Sequence, residues 1–294
     1  MLVNFLYFNA PGPDEKTVRE GDDGPHWDLA ISQPLDLMLC PQLHWGCRYL
    51  AIDHRTVVGQ VHYDRSIAIA RSGSEDKTSP IQAVEGAFLS KRSLRFANFD
   101  EAQLYAVVLI RADLRHATLR QAMMPRAKLV VADLSYADLT NADLTDADLT
   151  DADLTHADLT FAHLQGAKLT SARLSGATMT GVQAAGADLS GANLTGVNFD
   201  GADLENAQLR AATLINATLS DANLNHADLT DADLTSADLA DARVREATLT
   251  RAIFSNADLS SADMGEAQGQ LDRACGTSTK LPSGLRIMPC PEPN

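Results

Sequence analysis

The residues nearest to a metal-binding set lie close to the amino terminus: His44, Cys47, His54 and His62. Imidazole and thiolate groups are common zinc ligands. Their spacings match no zinc pattern, and the alternation of side chains along a strand would direct some of them to opposite faces. The sequence therefore predicts no metal site.

Serine, histidine and aspartate, the residue types of a nucleophilic triad, are all present in number. No nucleophile elbow, phosphate-binding loop or dinucleotide fingerprint surrounds any of them. Catalysis also needs a concave pocket that excludes water. We expect no catalytic residues, no cofactor and no enzymatic activity, with an enzyme inside residues 1–85 as the remaining alternative.

Carboxylates are the one chemical group that the sequence arranges regularly. The chain has a net charge of −15, which argues against direct binding to nucleic acid. Six aspartates recur at every fifth position and form what we call the acidic girdle: Asp133, Asp138, Asp143, Asp148, Asp153 and Asp158. Two interpretations stay open: the girdle keeps the protein dissolved, or it mimics the charge of nucleic acid and serves as an interaction surface.

The spacing of the girdle comes from a five-residue repeat, A-x-L-x-x. From Ala87 to Ala267 nearly every fifth residue is alanine, and leucine usually follows two places later. Repeats of this kind decide the fold before any other feature. A period of five fits neither a helix nor a flat strand. Short extended pieces joined by bends, stacked into a solenoid, are predicted instead.

This A(D/N)LXX pattern resembles the pentapeptide-repeat family, and the resemblance covers about two thirds of the chain. It implies an all-β fold, a right-handed quadrilateral β-helix with four units in each coil. Alanine and leucine would fill the axis, and the other side chains would face solvent. At strand spacing, the repeat would form about nine coils.

Three parts are expected along the chain: a small, partly ordered N-terminal cap at 1–85, the β-helix at 86–270 and a capping tail at 271–294. Thr279–Leu285 resembles the closing tail of many family members. The start of the repeat, from Glu85 to Asn98, resembles bacterial proteins that carry membrane helices upstream. This leaves open a longer membrane protein of which the chain is a piece.

Apolar side chains break the polar pattern of the first coils. The four-unit coil places one apolar contact stripe on a single face: Phe88, Val108, Ile110 and Val130. An exposed stripe of this kind marks a covered surface. Residues 1–85 or a partner protein would cover it.

The four cysteines, Cys40, Cys47, Cys275 and Cys290, are too scattered for a disulfide framework. We expect reduced thiols, although Cys275 and Cys290 both flank the tail and could meet. No apolar run approaches the roughly 20 residues that span a bilayer. A cytoplasmic location is therefore predicted.

These features predict a non-enzymatic scaffold for protein–protein interaction with an unidentified partner. The alternative follows from the family resemblance: some members imitate DNA, bind type II topoisomerase and protect it from quinolones. Those members are dimers joined at their C-terminal ends, so the resemblance also allows a homodimer through one end of the coil stack.

Overall fold

A computed structural model describes residues 89–265 and 268–291. Parallel bridges join each strand segment to the residue 20 positions later, from Ser93 with Asp113 to Arg243 with Asp263. Four repeat units therefore make one coil, and the predicted all-β quadrilateral β-helix is confirmed. Among the described residues the β-structure consists of isolated bridges, and the one helix is α1, Gln268–Leu271.

The axis of the coils is filled by the alanine and leucine of each unit. These side chains are buried from Leu89 to Met264, most with no exposed surface. Small and large residues must alternate there because interiors pack at nearly crystalline density. Val182 and Ala184, where a larger residue replaces alanine and a smaller one replaces leucine, are both fully buried. A local exchange of volume between these two positions is therefore compatible with the packing.

Backbone hydrogen bonds join each coil to both of its neighbours. The amide of Leu114 donates to the carbonyl of Asp133 at 2.7 Å, and the amide of Asp133 donates back to the carbonyl of Ala112 at 2.9 Å. The same pair of bonds recurs along the repeat, so the buried backbone groups are satisfied between coils.

The chain turns at the fifth position of each unit, which forms a corner of the coil. At one such corner the amide of Ala117 donates to the carbonyl of Leu114 at 3.0 Å, and His116 between them has a φ of 57°. Non-glycine residues occupy many of these corners, Val131 among them. Since left-handed backbone costs about 1–2 kcal/mol for a residue with a Cβ, the repeated inter-coil bonds must offset this cost.

The register changes at the C-terminal end. After Asp263 the bridges join residues 22 apart, as in Ile253 with Cys275 and Asp258 with Lys280, because α1 adds two residues to the coil. Helix α1 thus occupies the end of the segment that the sequence assigns to the repeat. In the tail beyond it, side chains of Leu281, Leu285 and Ile287 pack against the core.

Cys275 and Cys290 form a disulfide with an S–S distance of 2.05 Å. The expectation of reduced thiols is wrong for this pair. The reason is that the tail folds back: Cys275 bridges Met288, and the amide of Gly276 donates to the carbonyl of Met288 at 2.8 Å. That pairing brings the two sulfurs together, which linear spacing does not reveal.

Several expectations fall outside the described residues: the N-terminal cap at 1–85, Phe88, Cys40, and the set of His44, Cys47, His54 and His62. Within the part that is described, no helix is long and apolar enough to cross a membrane.

Candidate functional site

The acidic girdle wraps around the coils, because consecutive units lie on consecutive faces. Bridges stack Asp133 on Asp153 and Asp138 on Asp158, while Asp143 and Asp148 lie on the two other faces. The six aspartates therefore do not form one surface; they surround one coil and begin the next.

Each girdle aspartate accepts a hydrogen bond within its own turn. In Asp138, Oδ1 accepts from the amide of Thr140 at 3.1 Å and from its hydroxyl at 2.6 Å. The other five accept the amide of the residue two places later in the same way. Aspartate commonly closes turns by this bond. The D-x-T spacing thus has a structural role that does not require any ligand.

Arginines from neighbouring coils neutralise half of the girdle. Arg115 lies 3.4 Å from Asp133, Arg173 lies 3.1 Å from Asp153, and Arg120 donates to Asp138. Within the described coils, no ion pair reaches Asp143, Asp148 or Asp158. In the sequence these arginines are 18 or 20 positions away from the girdle aspartates, whereas in the coils they are neighbours.

The same contacts shift carboxyl pKa values. Partial burial works to raise the pKa of Asp138, but hydrogen bonds from Thr140 and Arg120 outweigh it and leave the pKa below its ordinary value. The guanidinium of Arg115 lowers the pKa of Asp113. These carboxylates stay ionised and hydrogen-bonded, as structural groups do. Their pKa values are lowered, whereas a general acid needs a raised pKa.

The predicted apolar stripe is only partly exposed. Val108, Ile110 and Val130 are half-buried in the outer wall, and Val131 at the next corner is 44% exposed. Ile110 and Val130 do lie in neighbouring coils, since the amide of Arg111 donates to the carbonyl of Val130. The assignment of this stripe as a contact surface stays a prediction.

A column of rings runs along one corner of the coils, and sequence reasoning missed it. Phe96, His116, Tyr136 and His156 occupy equivalent corners, and adjacent ring centroids lie 5.1, 5.2 and 5.2 Å apart. Phe96 and Tyr136 remain 51% and 54% exposed. The guanidinium of Arg95 lies 5.6 Å from the Phe96 ring centroid. The ring faces contact one another, so the ring edges point outward.

Glycine makes room where the rings meet the next coil. A Cβ at Gly176 would lie 2.6 Å from Nδ1 of His156, and one at Gly181 would lie 2.5 Å from the Phe161 ring. Phe161, at the adjacent corner, is 54% exposed. Left-handed backbone alone does not demand glycine in this fold, since other residues adopt it. At Gly176 and Gly181 the neighbouring ring occupies the space that a Cβ would need, so a larger residue there would displace the ring.

One signal in the sequence reveals the column. Aromatic and histidine residues recur 20 positions apart at the fifth letter of the unit. Reading outward letters in steps of 20, as the apolar stripe was found, would have found these rings.

The family model for pentapeptide repeats matches the chain in eight copies, at residues 97–130, 132–170, 157–196, 192–231 and 227–265, which together exceed half of its length. The chain is a pentapeptide-repeat protein. No curated protein matches it.

Solved structures similar to this pentapeptide-repeat protein include HetL from Nostoc sp. strain PCC 7120, involved in heterocyst differentiation regulation. It is 35% identical, with 62% of this chain and 88% of HetL covered and a TM-score of 0.32. Full-length QnrB1, a plasmid-mediated fluoroquinolone resistance protein, is 15% identical, with 62% and 94% covered and a TM-score of 0.33. A pentapeptide repeat protein from the Arabidopsis thaliana thylakoid lumen is 28% identical, with 39% and 81% covered and a TM-score of 0.27. The function must therefore be argued from the surface of this chain.

Proposed function

We propose that this pentapeptide-repeat protein is a non-enzymatic scaffold that binds another protein through the outer surface of its coils. The observation that supports the proposal is the set of exposed rings Phe96, Tyr136 and Phe161, of which Phe96 and Tyr136 are joined through the ring of His116 on the coil between them. Aromatic residues are enriched in protein interfaces, where they supply large contact areas at low cost in conformational entropy.

The distribution of polar and apolar side chains favours this function. The core positions of the coils are occupied by apolar side chains. A ligand must therefore bind to side chains on the outer wall. Single exposed apolar residues are ordinary on a protein surface. The column from Phe96 to His156 instead brings the rings of four successive coils into contact, and a contiguous exposed surface of this kind marks an interaction site.

Imitation of DNA toward a type II topoisomerase is the second function that the sequence raised. The ion pairs of Asp133, Asp138 and Asp153 count against it, because arginine neutralises carboxylates that would have to resemble free phosphates. A supercoiling assay with purified DNA gyrase separates the two. The scaffold proposal expects no inhibition at micromolar protein, whereas the mimic would inhibit and would lose the effect when girdle aspartates are changed to lysine.

The direct test places a photo-crosslinking amino acid at the four corners of one coil. These corners are exposed and lie on successive sides: Tyr136, Asn141, Asp146 and Asp151. In the native cell, we expect one corner, or two adjacent corners, to give a crosslinked protein at several times the yield of the others. Absence of any product, or equal products at all four corners, would contradict a scaffold with a defined binding surface.

A further inference from the structure

All three exposed aromatic side chains of the described coils lie on one face. This ring face comprises four stacked segments: 96–101, 116–121, 136–141 and 156–161. The column from Phe96 to His156 lines one edge, and Phe161 lies at the opposite edge. Polar side chains occupy the wall between the two edges.

The ring face is negatively charged. The four segments carry four carboxylates and one guanidinium, for a net charge of −3 with neutral histidines; these groups are Asp100, Glu101, Asp138, Asp158 and Arg120. The guanidinium of Arg95 lies just outside them, 5.6 Å from the Phe96 ring centroid. Arg120 already has carboxylate partners on this face: its side chain donates to Asp138, and its backbone amide donates to Asp100 Oδ1 at 3.0 Å.

Asp158 is the carboxylate best placed for a ligand. Its Oδ1 accepts from the amide of Thr160 at 2.9 Å and from the Thr160 hydroxyl at 2.5 Å, which fixes the side chain. Among the described residues, none donates to its Oδ2 or forms a close ion pair with it, and the one cation shown to interact with it electrostatically is Arg120, which is hydrogen-bonded to Asp138. The same short segment places His156 on one side of Asp158 and Phe161 on the other.

We propose that the ring face binds a basic segment of a partner protein. An arginine or lysine of that segment pairs with Asp158, and its aliphatic stem lies against the ring edges of His156 and Phe161. Long basic side chains combine these two contacts readily. This inference rests on the proposed scaffold function and specifies its partner by charge complementarity. Nucleic acid is the wrong occupant because phosphates would meet the carboxylates.

The rings and the turn bond make the surface rigid before a partner arrives. The rings of Tyr136 and His156 pack with their centroids 5.2 Å apart and their planes tilted by 32°, and Thr160 donates to Asp158. A surface that is already ordered loses little conformational entropy on binding.

An octa-arginine peptide titrated by calorimetry at about 0.15 M salt tests this proposal. Asp158→Asn keeps an Oδ1 acceptor for Thr160 and removes only the charge, so the fold is retained, which circular dichroism checks. The matched control is Asp148→Asn, an unpaired girdle carboxylate on a face without rings. We expect Asp158→Asn to weaken binding about threefold and Asp148→Asn to leave the dissociation constant nearly unchanged.

The ring contribution is measured with Phe161→Ala, for which we expect a loss of about fivefold in affinity. Met123→Ala, which removes an exposed apolar side chain from another face, should have no effect. Equal weakening by the two aspartate variants, or no effect of Phe161→Ala, would overturn the ring face as the site.

The two proposals fail in different ways. A partner crosslinked at the Asp146 or Asp151 corner, with no preference of octa-arginine for the ring face, refutes this surface and leaves the scaffold function standing. Absence of crosslinks at every corner refutes the scaffold function, and with it the partner role of the ring face, whatever the peptide does.

Discussion

At the scale of the residue, the aspartate that precedes each leucine joins three tasks. It contributes its backbone to the ladder between coils, its Oδ1 to the local turn and, in half of the girdle, its charge to an arginine of a neighbouring coil. An acidic repeat of this kind is stable because the like charges in a column are interrupted by cations such as Arg173 above Asp153. Charge alone is thus a weak guide to function in this family.

The turn bond predicts a difference between two variants at one position. Asp148 Oδ1 accepts from the amide and hydroxyl of Thr150 at 3.2 and 2.7 Å. Asp148→Ala removes both bonds and should destabilise its coil by about 1 kcal/mol, whereas Asp148→Asn keeps the acceptor and should cost little. Amide hydrogen exchange at Thr150 measures this. Equal protection in both variants would contradict a structural role of Oδ1.

The pair between Asp258 and Lys280 predicts a pH dependence. Hydrogen bonds from Lys280 and Ser260 lower the pKa of Asp258 from 3.8 to about 2. A lowered folded-state pKa means that the interaction stabilises the folded chain above about pH 3.8 and is lost as the pH falls toward 2. Lys280 has a raised pKa, so its contribution is lost only as the pH rises above 10.5.

Carbon-detected NMR titration of the Asp258 carboxyl tests this shift. The wild-type midpoint should lie near pH 2, and Lys280→Met should raise it part of the way to 3.8 because Ser260 still donates. The same midpoint in both proteins would show that Lys280 does not hold the carboxylate. Asp238→Asn, which alters a neighbouring carboxylate on the same face, serves as the control.

At the scale of the element, one unit of five residues is too short to hold itself together, and its conformation is imposed by the units 20 residues before and after it. Two inward side chains fill the axis, and one left-handed corner redirects the chain. The structure tolerates exchanges of volume between the inward positions as long as their sum is kept.

Val182 and Ala184 test that rule through a double-mutant cycle. Val182→Ala removes two methyl groups and should cost about 2 kcal/mol, from roughly 0.8 kcal/mol per buried carbon and a cavity term. Ala184→Leu adds volume and should cost about 1–3 kcal/mol. The double variant restores the ordinary A-x-L unit and should melt close to the wild type. A double variant that is less stable than Ala184→Leu alone would refute volume exchange.

Much of the element could be predicted from the sequence. The five-residue period, combined with the family resemblance, predicts four units per coil, and the identity of Ala and Leu predicts the core. The ring column was not predicted because its members are isolated along the sequence and become neighbours only when the chain is read in steps of 20 residues. The ion pair between Arg120 and Asp138 could not be predicted either, because the coil brings together residues that are 18 positions apart in the sequence. The acidic girdle is therefore less negative in three dimensions than the sequence indicates.

At the scale of the whole molecule, the described coils end in a closed C-terminal tail. Helix α1 shifts the register, apolar residues of the tail pack on the core, and the disulfide between Cys275 and Cys290 joins the ends of the returning segment. Solenoids need their terminal coil covered because it exposes strand edges and apolar core. The tail provides such a cover for Leu271, which is fully buried.

The disulfide predicts a local effect. Cys290→Ser opens a loop with a sequence separation of 15 residues, for which loop-closure estimates give about 3 kcal/mol. We expect faster amide exchange from Gly276 to Met288 and unchanged exchange in the coils around Tyr136. Equal changes in amide exchange along the whole chain would contradict a local effect of the disulfide.

The disulfide also bears on location. Such bonds persist in oxidising compartments and are rare in the cytoplasm, so it stands against the cytoplasmic location that the sequence favours. That location stays a prediction. Thiol alkylation of protein taken from the native cell, with Cys290→Ser as the reference, measures whether Cys275 and Cys290 are oxidised or reduced there.

A coil of 20 residues brings residues that are far apart in the sequence together into one column of packed rings. Nuclear Overhauser measurements on selectively labelled Phe, Tyr and His test it most directly. We expect ring-to-ring cross-peaks from Phe96 to His116, from His116 to Tyr136 and from Tyr136 to His156, and their loss around position 136 in Tyr136→Leu. Absence of these cross-peaks in the folded wild-type protein would contradict both the coil register and the ring face built on it.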